Sequence, residues 1–83
     1  MTLDVRYFAW LRERIGVAGE RVETGAATVA ELVAELRGRE ERYAYALSDL
    51  AAVRVAVDQE LADLDTSLAG AREVAFFPPM TGG

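Results

Sequence analysis

The sequence predicts an α+β domain in which a mixed sheet carries one main helix packed on one face. Apolar and polar residues alternate with a period of two over residues 2–9, and residues 72–77 form a second strand candidate with Val74 and Phe76 on one face and Ala75 and Phe77 on the other. Residues 29–37 carry apolar side chains at helical spacing. Because a long crossover joins the two end strands, they can pair in parallel in the middle of the sheet.

The elements of the first half follow from local pattern. In the first strand, Asp4, Arg6 and Phe8 fall on the face opposite the apolar residues. Residues 11–15 predict a helical turn that ends near Gly16, and residues 20–24 predict a short polar strand.

The main helix has the strongest signals. Thr28 and Glu31 form a capping box, which predicts that the helix begins at residue 29. Arg37 suits the negative end of the helix dipole, and Gly38 is a typical residue for ending a helix.

The second half of the sequence predicts a short helix followed by three strands. Residues 39–50 predict a short second helix, and residues 53–57 predict a strand. A tight turn at residues 58–60 leads into a short return strand at residues 61–64. The last strand, residues 72–77, is stopped by two prolines. This order of elements predicts a β-grasp (ubiquitin-like) fold, with a domain at residues 1–79 and a flexible tail at residues 80–83.

The composition excludes several kinds of chemistry. The 83 residues make one domain with a modest core. They include no cysteine or histidine, which excludes a disulfide, a thiolate nucleophile, an imidazole base and the usual zinc or iron–sulfur ligands, so we expect no bound metal or cofactor. The net charge of −5 argues against nucleic acid or an anionic membrane as partner. The N-terminal residues lack the pattern of a secretory signal, so we expect a cytoplasmic protein.

The last residues, Met80, Thr81, Gly82 and Gly83, suggest a chemical role for the tail. Glycine has no Cβ, so the backbone can pass through a narrow channel. Four residues reach about 13–14 Å beyond the domain at ~3.3–3.6 Å each. Condensation with ATP would activate the Gly83 carboxylate, and a sulfur nucleophile could then displace AMP and leave a thiocarboxylate. This chemistry needs no side chain from the carrier.

An apolar patch is expected on the outer face of the sheet. Phe8 and Phe77 fall on the solvent side of strands that can be neighbours, and Leu61 is a third candidate. Exposed apolar patches of this kind usually mark interfaces. The alternative is that these side chains pack under a loop, or that the strand register differs by one residue.

Nearly the whole sequence resembles the ubiquitin-like sulfur carriers that form the small subunit of molybdopterin synthase. The resemblance rests on residues 7–13, 28–36 and 55–61 and most specifically on the C-terminal run from Glu73 to Gly83. The sequence departs from the family at Asp58, where asparagine is common, and mildly at residues 70–74.

The resemblance implies a sulfur carrier whose Gly83 is adenylated with ATP by an E1-like enzyme and loaded with sulfur from a sulfurtransferase. The large subunit of the synthase would then take the tail into its pocket, where the sulfur passes to cyclic pyranopterin phosphate and forms the dithiolene. The expected assembly is a heterotetramer. The residues expected to contact the partner are Phe8, Arg12, Leu61, Phe77, Pro78 and Pro79.

Two alternatives remain open on the residues alone. The chain could carry a thiocarboxylate for another pathway, such as thiazole synthesis or tRNA thiolation. It could also be a non-covalent ubiquitin-like interaction module with an inert tail.

Overall fold

The computed structural model describes residues 1–79, which form a five-stranded mixed sheet with its core on one face. The strands are β1 (Thr2–Tyr7), β2 (Gly19–Glu23), β3 (Arg54–Val57), β4 (Glu60–Ala62) and β5 (Glu73–Phe77). The helices are α1 (Ala9–Ile15), α2 (Val29–Arg37) and α3 (Glu41–Ala46), and a 3₁₀ turn spans Leu50–Ala52. The strand order is β2-β1-β5-β3-β4, and only β1 and β5 are parallel among the pairs of this sheet. The predicted α+β, β-grasp architecture is confirmed.

Helix α2 begins and ends where the sequence predicts. The Thr28 hydroxyl accepts a hydrogen bond from the Glu31 amide at 3.3 Å, so the predicted cap is made. The apolar side chains of the helix are buried against the sheet: Val29, Leu32, Val33 and Leu36.

The pairing of the two central strands, β1 and β5, determines which of their side chains face the core. Val5 lies opposite Val74 and Tyr7 lies opposite Phe76, and all four side chains are buried. The rings of Tyr7 and Phe76 stack with their centroids 6.2 Å apart. The predicted division of these strands into an inner and an outer face is therefore confirmed.

The first helix differs from the sequence prediction. The predicted strand continues to residue 9, but β1 ends at Tyr7 and α1 already begins at Ala9. Phe8 still donates its amide to the Phe76 carbonyl at 3.1 Å, and Ala9 then turns the chain with a φ of 53°. The other strand boundaries differ from the prediction by only one or two residues.

A buried polar cluster that the sequence analysis missed connects α3 to the sheet. The hydroxyl groups of Tyr7 and Tyr43 donate to the same oxygen of Glu20, at 2.8 and 2.7 Å. Burial and the hydrogen bond to Glu20 raise the pKa of both tyrosines, so both stay protonated at neutral pH. Among residues 1–79, no helix combines the length and the apolar character needed to cross a bilayer.

Candidate functional site

The outer face of the sheet carries an open groove of about 770 Å³. Its lining combines apolar side chains with a few charged or polar ones: Arg6, Phe8, Gln59, Glu73, Ala75, Phe77 and Pro78. The groove follows β5 from Glu73 to its end, so the strand that leads into the C-terminal residues also forms the groove wall.

Side-chain size along the strands shapes this groove. Ala75 of β5 lies opposite Ala56 of β3, so two small side chains occupy the middle of the outer face. Arg6 of β1 lies opposite Ala75 on the other side. Phe77 and Phe8 rise beside them, because residues two apart on a strand share a face. Phe8 is 49% exposed, a large fraction for a phenylalanine.

Charged side chains stand at the Glu73 end of the groove. The Arg6 guanidinium lies 3.1 Å from the Glu73 carboxylate and 3.6 Å from that of Asp4. Both contacts are solvent-exposed, so each contributes little to stability, at most about 1 kcal/mol. Their effect is to leave the charges of Arg6 and Glu73 already paired where a partner would dock.

The turn between β3 and β4 borders the same end of the groove. The Asp58 carboxylate accepts hydrogen bonds from the amides of Arg72 and Glu73 at 2.9 and 3.0 Å, and the Asp58 amide donates to the Glu73 carbonyl at 2.9 Å. These backbone hydrogen bonds hold the pKa of Asp58 below its usual value. The sequence predicts the turn but not this connection, although an aspartate in a tight turn is a known acceptor for nearby amides.

The structure brings together three of the residues predicted to contact a partner. Phe8, Phe77 and Pro78 line the groove. Leu61 is 79% exposed on the same face, on β4, two strands away from β5, where it lies opposite Ala56.

The other predicted site residues lie elsewhere. Pro79 is half-buried next to the groove wall, and Arg12 is exposed on α1; neither lines the groove. The predicted tail residues Met80, Thr81, Gly82 and Gly83 lie outside the described residues.

The groove suits binding better than catalysis. Its polar side chains are an arginine, a glutamate and a glutamine, and the first two form an ion pair. Within residues 1–79, no three carboxylates come together in a group that could hold a metal ion. What the described residues offer is therefore an apolar docking surface beside the start of the C-terminal segment.

This fold, with an exposed groove on the strand before the C-terminal segment, defines a ubiquitin-like domain. The chain belongs to the ThiS family, which it matches over residues 5–83. It is 38% identical over 81 residues to the molybdopterin synthase sulfur carrier subunit of Escherichia coli and 37% identical to that of Haemophilus influenzae. Each match covers 98% of this chain and 99% of the relative.

Solved structures agree with the family assignment. SAMP1 from Haloferax volcanii matches with a TM-score of 0.75 at 29% identity over the full length of both chains. A chain from the complex of subunits 1 and 2 of the molybdopterin-converting factor of Helicobacter pylori matches with a TM-score of 0.65 at 28% identity, again over both full chains.

Proposed function

We propose that this chain is the sulfur-carrier subunit of a molybdopterin synthase and that it carries sulfur as a thiocarboxylate on Gly83. The observation that carries the proposal is the continuity of the groove with the tail. Phe77 and Pro78 form one wall of the groove, and the sequence then runs through Pro79 to Gly82 and Gly83. The names of the two bacterial relatives support the same role.

The chemistry begins with activation of the carboxylate. An E1-like enzyme consumes ATP to form the Gly83 acyl-adenylate, and sulfur supplied by a sulfurtransferase displaces AMP. The thiocarboxylate then gives its sulfur to cyclic pyranopterin phosphate, and water restores the carboxylate. Two such transfers complete the dithiolene. In this proposal the carrier holds no resident cofactor, and the cycle runs in the cytoplasm, where ATP is available to the activating enzyme.

The partner in the transfer step is the large subunit of the synthase. Phe8, Leu61 and Phe77 would supply apolar burial on the outer face, with Arg12, Pro78 and Pro79 at its margin. The tail, Met80 to Gly83, would enter the partner's active site. Two carriers on a dimer of large subunits would give a heterotetramer. Because the spent carrier must leave to be reloaded, binding has to be reversible, which favours moderate affinity.

Intact-mass spectrometry tests the proposal directly. We expect a chain incubated with ATP, its activating enzyme and a sulfur source to gain the mass difference between one sulfur and one oxygen atom. Adding the large subunit and the pterin precursor should return the original mass and yield the dithiolene product. A chain that never gains mass would be a non-covalent module. A chain that gains mass but never serves the pterin precursor would be a carrier for another pathway.

A further inference from the structure

Gln59 occupies a backbone position that strongly favours glycine. Asp58 and Gln59 form the two-residue loop between β3 and β4, with φ values of 50° and 70°. Two positive φ values define a type I′ turn, in which asparagine or aspartate followed by glycine is preferred. Asp58 fits this preference. Gln59 does not, because its Cβ makes the left-handed conformation strained.

The fold does not use the Gln59 side chain for its own packing. Gln59 is exposed, and its carboxamide makes no hydrogen bond to any other residue of the described chain. Instead, the side chain lines the groove beside Arg6 and Glu73. Residues held in strained backbone conformations often serve ligand contacts. The strain at this position therefore has an explanation in what the side chain offers to the groove.

We infer that Gln59 contributes to partner recognition at the groove by hydrogen-bonding a main-chain peptide group of the partner protein. This inference rests on the proposed docking of the large synthase subunit at the groove. A carboxamide presents one donor side and one acceptor side, which matches the N–H and C=O groups of a peptide. The neighbouring charges of Arg6 and Glu73 are already paired at 3.1 Å, so the polar group left to bind a partner here is neutral.

The apolar part of the groove makes this hydrogen bond selective. When a partner covers Phe8, Ala75 and Phe77, water is excluded from the groove. A polar group buried there without a partner costs more than a hydrogen bond usually contributes. We therefore expect the docked segment to be extended, with an apolar side chain against Phe77 and a peptide group against Gln59.

Two substitutions separate recognition from folding. Gln59→Gly removes both the carboxamide and the strained Cβ, so we expect its Tm to rise by about 3–8 °C. Gln59→Ala removes the carboxamide but keeps a Cβ at the same φ, so its Tm should change far less. Both variants should bind the purified large subunit about 5–100-fold more weakly by isothermal titration calorimetry, because both leave a peptide group of the partner buried without its hydrogen bond.

Equal affinity of both variants and the wild-type chain for the large subunit would overturn the inference while leaving the proposed function intact. A lower Tm for Gln59→Gly would also overturn it, since the side chain would then support the turn. An affinity loss in the glycine variant alone would assign the effect to turn flexibility and again overturn it. If the wild-type chain itself does not bind the large subunit, the proposed function fails and this inference fails with it.

Discussion

Phe76 and Phe77 are neighbours in sequence with opposite environments. Phe76 is 1% exposed and stacks on Tyr7 in the core, whereas Phe77 lines the groove on the other face. Strand parity alone predicts this division, because successive side chains of a strand point to opposite faces. Parity also places Arg6 on the outer face, but it could not predict the position of Gln59. A turn brings Gln59 back beside Glu73, and no local sequence pattern indicates that contact.

Truncating the two phenylalanines should have opposite consequences. We expect Phe76→Ala to lower the free energy of unfolding by about 3–5 kcal/mol, as other large core truncations do. Phe77→Ala should leave most of the stability and weaken binding to the large subunit by about 2 kcal/mol or more. Urea denaturation and calorimetric titration measure the two effects.

An exposed aromatic residue away from the groove provides the control. Tyr45 on α3 is 60% exposed and stacks on Arg14, so Tyr45→Ala should leave affinity for the large subunit unchanged. A Phe77→Ala variant that unfolds, beside a stable Phe76→Ala variant, would contradict the register of β5.

At the scale of elements, the helices differ in how far the sequence determines their limits. The start and end of α2 follow from Thr28, Glu31 and Gly38, all within one turn of the helix termini. The start of α1 does not follow from nearby residues, because the Phe8 side chain makes no capping hydrogen bond and Ala9 turns the chain at a φ of 53°. The hydrogen bond from Phe8 to Phe76 fixes that bend through a residue far away in sequence. Long-range pairing, invisible to a local pattern, sets this boundary.

The hydrogen bonds that join the β3–β4 hairpin to β5 should stabilise the fold less at low pH. The hydrogen bonds of Asp58 lower its pKa in the folded chain, so their stabilising contribution is complete above the ordinary aspartate pKa. That contribution is lost as the pH falls through the lower, folded pKa. We expect Asp58→Asn, which keeps an acceptor oxygen but cannot titrate, to lose less stability than the wild type on acidification. Unfolding midpoints in urea between about pH 6 and pH 2 measure the difference.

Asp58→Ala is the matched comparison for this effect. It removes the acceptor as well as the charge, so it should be less stable than Asp58→Asn at neutral pH. Identical acid profiles for the wild type and Asp58→Asn would show that the carboxylate contributes nothing through its ionisation.

At the scale of the whole molecule, the residues that stabilise the fold should be distinct from the residue that carries the chemistry. Among residues 1–79, the buried core runs from Leu3 to Phe76, and the residue proposed to carry sulfur is Gly83. The sequence predicts the fold class because the patterns of β1, α2 and β5 agree with one another. It could not predict the buried cluster of Glu20, Tyr7 and Tyr43, since nothing in the local pattern around each residue marks their meeting.

Removal of Gly83 should therefore abolish sulfur loading without changing the stability of the fold. We expect the shortened chain to unfold at the same temperature as the full chain, within about 1–2 °C, because the core of the described residues ends at Phe76. It should fail to gain sulfur when incubated with ATP, the activating enzyme and a sulfur source. Differential scanning calorimetry and intact-mass spectrometry measure these outcomes. Full sulfur loading of the shortened chain would contradict the proposed role of Gly83.

The position of β5 between β1 and β3 has a consequence for protein synthesis. Among the described strands, the one made last occupies the middle of the sheet. β1 can pair early with β2, but its parallel partner β5 lies almost the whole length of the sequence away. Such distant pairings delay folding. We expect a nascent chain that stops before Phe76 to remain unfolded and open to proteolysis, because it lacks most of the central strand and the stacking of Phe76 on Tyr7. Folding of this domain therefore requires that translation has passed through β5.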